Sequence, residues 1–467
     1  MPYSPINVDR VAELKQLLGP ENVHTDLEIR EEHGHDYTED FQFTPDVVVT
    51  PGNTEEVSLL MKWCNAHHIP IVPRGAGTGL SGGALPIEKG VCLSMKRFNK
   101  IVEIDTRNLQ ATVEPGVINQ VFQEAVQEKN LFYPPDPASK GSCSLGGNWA
   151  ENAGGPKAVK YGVTNEYLLN MEVVLPDGSI IWTGANVLKN ATGYNLTQLI
   201  AGSEGTLGVI TKGVVKLRPL PKETKLILVP FNSAEDACAA VSAVFRAGVI
   251  PSAMEFMERD AIQFTLDVVD DAPNLLKEGE EAHLLIEVDG NDPDVLFREL
   301  EQIVSVVEEF GSGEIRFAES NAEKERLWHI RRKVGEAVKA HSVYKEEDTV
   351  VPRAELPKLL KGIKDIGKHY GFKSVCYGHA GDGNLHVNIL RGHLSDKQWL
   401  QEIPLAISEI FMLCFSLGGT ISGEHGIGLV QKEYMDIVFD EANLALQRNI
   451  KDLFDPNGIL NPGKIFP

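Results

Sequence analysis

Residues 73–83 read Pro-Arg-Gly-Ala-Gly-Thr-Gly-Leu-Ser-Gly-Gly and follow an apolar run at 69–72. Three of the glycines fit the spacing GxGxxG, but a dinucleotide fingerprint of that kind has to open a helix. Here the chain passes a proline at 86 and enters strand-like residues 91–93, so the stretch is not a Rossmann loop. It is a glycine-rich turn whose backbone N–H groups can bind phosphate, and Arg74 and Ser81 add side-chain donors.

Two further glycine-rich stretches lie in the first half of the chain. Residues 142–155 contain two pairs of adjacent glycines, and residues 202–210 read Gly-Ser-Glu-Gly-Thr-Leu-Gly-Val-Ile. Glycine loops at the ends of strands let the backbone lie against a large flat ligand, because no Cβ atom intervenes. We therefore expect such a ligand in this half of the chain.

A candidate metal site lies near the C-terminus. Residues 377–388 read Tyr-Gly-His-Ala-Gly-Asp-Gly-Asn-Leu-His-Val-Asn, which predicts a tight turn followed by a strand with His386 and Asn388 on one face. The turn can bring His379 back towards them. A second stretch contains Glu424 beside His425, and adjacent residues point in different directions. Two histidines and a carboxylate form a recurrent site for Zn²⁺ or a non-haem metal, and the alternative is a pair of hydrogen-bonded structural histidines.

Composition limits the classes of function. The chain has 467 residues, which predicts two or three domains, and its hydrophobic content of 42% is that of a soluble globular protein. A net charge of −22 argues against binding to nucleic acid or anionic membranes. The six cysteines are scattered without a CxxC pair, which fits a reducing cytoplasm. Neither a signal peptide nor a transmembrane helix is evident, so no direct membrane insertion is expected.

The order of predicted elements divides the chain near Pro219-Leu220-Pro221. Before this point, short β-branched runs alternate with helical segments. After it, two β-α-β units with helices at 233–247 and 292–309 predict a sheet with helices packed on one face. Further helices are predicted at 321–341, 354–370 and 439–453.

Six motifs spread along the whole chain carry a family resemblance: PRGAGTGLSGG, GSCSLGGNWAENAGG, GSEGTLGVIT, GHAGDGNLHVN, SGEHGIG and DPNGILNPGKIF. In this order they resemble the FAD-binding oxidoreductases of the vanillyl-alcohol-oxidase type. Within that group the chain is similar to the branch of D-lactate dehydrogenase, D-2-hydroxyglutarate dehydrogenase and the flavin subunit of glycolate oxidase. The resemblance implies an α+β fold with a two-lobed FAD-binding domain at 1–220. It also implies an α+β substrate or cap domain with an antiparallel sheet at 221–422, and a segment at 423–467 that returns to the FAD-binding domain.

The same resemblance implies the residues that bind FAD. The pyrophosphate loop matches Pro73, Arg74, Gly75, Ala76, Gly77, Thr78, Gly79, Leu80 and Ser81. Further contacts match Pro135, Asp136, Ser142, Gly146, Gly147, Asn148, Asn152, Glu204, Gly208 and Ile210, with Asn461 near the flavin ring. No histidine stands where covalent relatives attach the flavin, so non-covalent FAD is expected.

The resemblance also assigns the metal ligands and the catalytic residues. His379, His386 and Glu424 match ligands of a divalent Zn, Mn or Fe ion, and His425 matches the catalytic base, with Asn388 counted among the catalytic residues. Arg331 matches an arginine that binds the substrate carboxylate, and Lys345 matches a basic residue at the far end of the substrate. From sequence alone, Arg331 could equally form a helix-surface salt bridge. Gly335 stands where the hydroxyglutarate enzymes have a threonine, which weakens the case for a dicarboxylate substrate.

The leading prediction is FAD- and metal-dependent oxidation of a D-2-hydroxy acid to the 2-oxo acid. D-Lactate ranks first as the substrate, followed by glycolate and D-2-hydroxyglutarate. The C2 hydride goes to flavin N5, His425 takes the hydroxyl proton, and an external acceptor takes the electrons. One alternative is a flavin subunit that passes electrons to an electron-transfer protein or an iron–sulfur subunit. Another is a metal-dependent hydrolase, which leaves the three glycine loops unexplained. A homodimer is a further expectation.

Overall fold

The computed structural model describes residues 2–38, 41–269 and 275–467. Its strands are β1 (Val23–His24), β2 (Val47–Val49), β3 (Ile71–Arg74), β4 (Val91–Ser94), β5 (Ile101–Asp105), β6 (Gln110–Val113), β7 (Leu131–Phe132), β8 (Leu168–Val174), β9 (Ile180–Trp182), β10 (Val209–Lys216), β11 (Arg218–Pro219), β12 (Glu223–Phe231), β13 (Ala253–Glu258), β14 (Ala282–Gly290), β15 (Arg316–Phe317), β16 (Tyr344–Val350), β17 (Lys373–Gly378) and β18 (Asn384–Leu390). Its α-helices are α1 (Val8–Leu18), α2 (Leu27–Glu32), α3 (Thr54–His67), α4 (Asn119–Gln127), α5 (Leu145–Glu151), α6 (Ala158–Tyr161), α7 (Leu196–Ile200), α8 (Ala234–Arg246), α9 (Arg259–Val268), α10 (Pro293–Glu309), α11 (Asn321–His341), α12 (Leu356–Tyr370), α13 (Ile403–Ser416), α14 (Met435–Val438) and α15 (Glu441–Phe454).

The chain divides into two compact units. The first comprises Met1–Gly154, Val163–Leu220 and Glu424–Pro467, and the second comprises Gly155–Gly162 and Pro221–Gly423. These divisions lie within one residue of the boundaries expected at 220/221 and 422/423. The C-terminal segment belongs to the first unit, and the short stretch at 155–162 belongs to the second.

The first unit contains two principal sheets. In the order β1-β2-β4-β3, the strands β2, β4 and β3 run parallel, and β1 is antiparallel to β2. The second sheet, β5-β6-β10-β8-β9, is antiparallel throughout. The glycine loop follows β3 directly, because β3 ends at Arg74. Its backbone is tied to the N-terminus of α5, where the Ser144 hydroxyl accepts hydrogen bonds from the N–H groups of Ala76 (3.3 Å) and Gly147 (3.4 Å).

The second unit is built on one antiparallel sheet of order β15-β12-β14-β13-β17-β18-β16. The prediction that helices cover only one face was wrong. Helices α9 and α11 pack on the face that carries Leu285 and Val375, whereas Lys364 of α12 donates to residues on the other face, including Ser374. The central strand β14 is buried on both faces except at its last residue, so it lacks the solvent-exposed face that a one-sided sheet requires.

One stretch of the second unit, Gln398–Ser416, is long and apolar enough, by length and composition, to cross a membrane. From the sequence we expected no such helix, because no uninterrupted apolar run is long enough to cross a membrane. In the second unit α13 packs against α12, and 39% of the stretch is buried. A single helix of this kind is weak evidence for a membrane span, because the core helix of a soluble protein meets the same criterion.

Candidate functional site

The hairpin of β17 and β18 presents the two candidate histidine ligands. The predicted turn is confirmed: the N–H groups of Asp382 and Asn384 both donate to the His379 carbonyl at 3.2 Å. Gly383 has a φ of +89°, and a Cβ atom there would collide with the Val351 carbonyl oxygen, so this position requires glycine. The predicted strand is confirmed as β18, which lies inside the sheet and is buried on both faces.

The register between β16 and β18 decides which residues face the candidate site. Glu346 lies opposite Asn388, and Asp348 lies opposite His386. Directly opposed residues of an antiparallel pair share a face, and successive residues alternate between faces. Lys345 therefore belongs to the other face, where its Nζ lies 5.4 Å from the centroid of the Trp399 ring. The structure does not bring Lys345 together with His386 and Asn388, and two carboxylates share their face instead.

Glu255 of β13 is a buried carboxylate between two candidate functional side chains. Its two oxygens each lie 2.9 Å from Nδ1 of His379, and Oε2 lies 2.7 Å from Nη2 of Arg331. An ionised carboxylate only accepts hydrogen bonds, so Nδ1 of His379 carries the proton and Nε2 carries the lone pair. A histidine held by a carboxylate in this way is typical of a metal ligand.

His379 and His386 are close enough to share one ion. One ring nitrogen of each lies within 4.8 Å of the other, and the ring centroids are 5.5 Å apart. Two imidazole nitrogens suit Zn²⁺ and other first-row divalent metals, so the donor set of the second unit fits the expected cofactor. Asp348 lies beside this pair, with Oδ1 3.7 Å from Nδ1 of His386.

Arg331 is buried in the second unit rather than exposed on a helix surface. Only 5% of the residue is exposed, and the centre of its guanidinium lies 5.2 Å from the centroid of the Tyr377 ring. Its Nε has no hydrogen-bond partner among the described residues. The same holds for both polar side-chain atoms of Asn388, which is fully buried. Buried polar groups are normally hydrogen-bonded, so these atoms fit a role in ligand binding.

The first unit contains an open cavity whose lining includes glycines from all three glycine-rich stretches. The predicted cofactor residues that line it are Pro73, Arg74, Gly75, Gly146, Gly147, Glu204, Gly208 and Ile210. Nη1 of Arg74 and the Ser81 hydroxyl are buried without a hydrogen-bond partner in the described part of the chain. Donors of this kind on a glycine-rich stretch fit the phosphates of FAD.

Some of the other predicted cofactor residues form hydrogen bonds that hold the glycine-rich stretches in place. Asn461 is buried, and its Nδ2 donates to the carbonyls of Gly83 (2.9 Å) and Glu204 (2.8 Å). Asn152 ends α5 in a left-handed conformation and accepts from the N–H of Asn165 at 2.9 Å. The residues that do not line the cavity are Ala76, Gly77, Thr78, Gly79, Leu80, Ser81, Pro135, Asp136, Ser142, Asn148, Asn152 and Asn461.

Two buried carboxyls line the same cavity. Burial raises the pKa of Glu204 to about 7, even though the backbone N–H groups of Ile427 and Gly428 donate to it. Burial, and then the charge of Glu204, hold the pKa of Glu151 well above its usual range. The C-terminal segment of the first unit is thus held by the side chain of Glu204, which belongs to the glycine-rich stretch at 202–210.

Glu424 and His425 begin the C-terminal segment of the first unit. Within this unit, a Cβ atom at Gly154 would lie 2.7 Å from Oε2 of Glu424, so Glu424 lies against a glycine. In the second unit, Asp348 accepts hydrogen bonds from the Ser422 hydroxyl (2.9 Å) and the Gly423 N–H (2.8 Å). The chain is therefore fixed immediately before Glu424.

Comparison with known proteins gives the family. A family described as "FAD linked oxidases, C-terminal domain" matches residues 220–465, and one described as "FAD binding domain" matches residues 45–184. The chain belongs to the FAD-linked oxidase family. Glycolate oxidase subunit GlcD of Bacillus subtilis (strain 168) is 40% identical, covering 99% of this chain and 97% of the relative. D-Lactate dehydrogenase of Anaerostipes hadrus is 36% identical, covering 99% and 98%.

Solved structures show the same architecture. The 4-ethylphenol oxidase from Gulosibacter chungangensis superposes with a TM-score of 0.79 at 19% identity, over 100% of this chain and 99% of that chain. At this identity the likeness is one of fold. Membership of the FAD-linked oxidase family confirms the expected FAD-dependent oxidoreductase, and the comparison confirms the expected α+β fold of the vanillyl-alcohol-oxidase type.

Sequence reasoning missed the carboxylates of the second unit. Glu255 stands alone in the apolar run Met254-Glu255-Phe256, and an acid inside a strand buried on both faces is a signal that it has a partner. Glu346 and Asp348 alternate with Lys345 and Glu347, so a correct strand register would have assigned them to the face of His386.

Proposed function

We propose that this FAD-linked oxidase oxidises a D-2-hydroxy acid to the 2-oxo acid with the help of a divalent metal. The observation that carries the proposal is the arrangement around Glu255, where a buried arginine and a candidate metal-binding histidine share one carboxylate. An arginine suited to a carboxylate beside a metal suited to a hydroxyl is the chemistry that a 2-hydroxy acid needs. The names of the relatives, glycolate oxidase and D-lactate dehydrogenase, support the same substrate class.

Arg331 binds the substrate carboxylate in this proposal. Guanidinium offers a planar pair of donors that lysine cannot copy, and Glu255 holds it in place. Asn388 contributes an amide with no partner among the described residues, which can hydrogen-bond the substrate. Lys345 does not bind the substrate in this proposal, because its side chain lies on the face of the sheet that carries Trp399.

The hydroxyl proton goes to His425. A neutral imidazole can accept it, and Glu424 would serve as a metal ligand together with His379 and His386. Bound FAD would supply the hydride acceptor for C2, and a divalent metal held by these residues would supply positive charge beside the hydroxyl oxygen. The proton of His379 stays on Nδ1 because Glu255 accepts a hydrogen bond from Nδ1–H, so Nε2 keeps its lone pair.

A second candidate function is that of a flavin subunit in a larger electron-transfer complex. It is favoured by one specific observation: a relative 40% identical to this chain is named as a subunit of glycolate oxidase. In this case an iron–sulfur or flavoprotein partner would accept the electrons. The hydrolase alternative is not favoured, because the FAD-binding domain would then have no function.

Anaerobic bleaching of bound flavin tests the proposal. The purified holoenzyme is mixed with D- and L-lactate, glycolate and D-2-hydroxyglutarate, and absorbance near the flavin maximum is followed before and after removal of metal with a chelator. We expect rapid bleaching by a D-2-hydroxy acid, slow bleaching by L-lactate, and loss of bleaching after chelation while FAD stays bound. Bleaching at an unchanged rate in the chelated protein would refute the role of the metal.

A further inference from the structure

In the second unit, a tyrosine lies beside the Arg331 guanidinium and close to the helix that carries it. Gly335 follows Arg331 by one helical turn in α11, so the two positions share a face of the helix. A Cβ atom at Gly335 would lie only 3.2 Å from the Tyr377 hydroxyl, so the glycine lets this hydroxyl approach the helix closely. The ring of Tyr377 in turn lies beside the Arg331 guanidinium.

The carboxylate of Glu346 lies next to this tyrosine. The Tyr377 hydroxyl donates a hydrogen bond to Oε1 of Glu346 at 3.3 Å, and that oxygen is 3.8 Å from Nδ1 of His386. Glu346 also lies opposite Asn388 in the strand pair.

We propose that Glu346 determines substrate specificity, admitting 2-hydroxy acids with uncharged or donor-bearing side chains and rejecting dicarboxylates. The proposal rests on the proposed function, in which Arg331 binds the carboxylate next to the reacting carbon. A second carboxylate on the substrate would lie near Glu346 in a largely buried site, where repulsion between like charges is strong. A hydroxyl or ammonium group would instead donate a hydrogen bond to it.

No basic side chain in the described part of β16 offsets this charge on the same face. Lys345, the adjacent residue, lies on the opposite face against Trp399. Asp348, two residues further along, adds a second carboxylate to the face of Glu346. Arg331 is already paired with Glu255, so its charge is partly compensated before substrate binds.

The test compares kcat/KM of the holoenzyme and of Glu346→Gln for D-lactate, D-glycerate, D-malate and D-2-hydroxyglutarate. For the unmodified enzyme we expect the two dicarboxylates to be at least ~100-fold poorer substrates than D-lactate. A difference of this size is expected from repulsion between two like charges in a poorly solvated site. Glu346→Gln should improve both dicarboxylates relative to D-lactate by at least ~10-fold and should weaken D-glycerate relative to D-lactate. Glu347→Gln is the matched control, because it makes the same charge change on the opposite face of the same strand.

Three results would refute the proposed role of Glu346 in substrate specificity. The first is an unmodified enzyme that uses a dicarboxylate as well as it uses D-lactate, which needs no variant. The second is an unchanged ratio of dicarboxylate to D-lactate in Glu346→Gln with normal FAD content. The third is loss of bound metal from Glu346→Gln by elemental analysis, which would make Glu346 a ligand. If none of the acids reduces the flavin of the unmodified enzyme, the proposed function fails as well, so the two failures are distinguishable.

Discussion

Replacing Glu255 with glutamine tests whether one carboxylate holds both halves of the candidate site. Glu255 is fully buried and receives His379 at 2.9 Å and Arg331 at 2.7 Å. Both partners are donors, and glutamine has one accepting oxygen and one donating NH₂ group. Whichever way the amide turns, one partner faces another donor, so the substitution cannot satisfy both.

The two orientations have different consequences. If the NH₂ group faces His379, it donates to Nδ1 and moves the imidazole proton to Nε2, where it blocks metal binding. If it faces Arg331, the guanidinium also loses its acceptor. In either orientation the guanidinium loses its counter-charge, and breaking a buried ion pair costs about 3–5 kcal/mol. Loss of the carboxylate behind a metal-binding histidine typically weakens metal affinity by about 10–100-fold. We expect that loss in Glu255→Gln, together with a lower unfolding midpoint.

Metal affinity is measured by titrating the metal-depleted protein against a chelating dye, and stability is measured by urea unfolding. Glu287→Gln is the control, because Glu287 is also a buried acid of the same sheet and contacts Lys157 and the Trp328 Nε1–H instead. Burial alone would raise the pKa of Glu287, but Lys157 and the other hydrogen bonds that the carboxylate accepts outweigh burial and lower this pKa. The control should therefore lose stability and keep its metal affinity. Unchanged metal affinity in Glu255→Gln, in a protein where His379→Ala has lost the metal, would refute the reasoning.

Four further substitutions test other parts of the site. His386→Ala should lose bound metal and keep FAD, as elemental analysis and the visible spectrum will show. His425→Asn should keep both and slow flavin reduction by about 10²–10⁴-fold in stopped-flow measurements, the usual worth of a general base, and loss of metal would make His425 a ligand instead. Gly77→Val should give colourless protein, because Gly77 has a φ of +73° and a Cβ atom there would collide with the Arg74 guanidinium; full flavin absorbance would contradict this. Glu204→Gln should flatten the pH dependence of stability. The pKa of Glu204 in the folded protein, about 7, lies above the value in the unfolded chain. The carboxyl therefore contributes fully to the free energy of unfolding below about pH 4, and this contribution is lost as pH rises through 7. Urea unfolding between pH 4 and 8 measures this, and an unchanged slope would show that Glu204 is not responsible.

Local patterns of the sequence predict much of the second unit. The helices predicted at 233–247, 292–309 and 321–341 appear as α8, α10 and α11 with ends shifted by one residue at most. Each begins after a side chain that caps the first turn, and each has an apolar stripe, so the signals are contained within the helix itself. The turn before β18 was predictable for the same reason, because glycine and alternation mark it locally.

Contacts between distant residues and the register of strands were not predictable in this way. The hydrogen bond from His379 to Glu255 joins residues 124 positions apart, and nothing beside Glu255 in the sequence identifies that partner. Lys345 shows the second limit. A shift of one residue in a strand reverses the face of every side chain, and the residue on the face of Asn388 is Glu346. The predicted basic group at that point is therefore replaced by an acidic one.

The charges of the second unit provide an independent reason to expect a cation. Glu255, Glu346 and Asp348 place three carboxylates around His379 and His386, and Arg331 is the cation paired with them among the described residues. A divalent ion held by the two imidazoles would place positive charge among these carboxylates and help to balance them.

This balance predicts that the metal stabilises the fold as well as the chemistry. A ligand that binds only the folded state raises its stability by an amount that grows with ligand concentration. Chelation should therefore lower the unfolding midpoint of the unmodified enzyme, and Glu346→Gln should reduce that difference because one negative charge has already been removed. An unfolding midpoint that is independent of metal would mean that the carboxylates are compensated by protonation, and the histidines would then be structural residues rather than ligands.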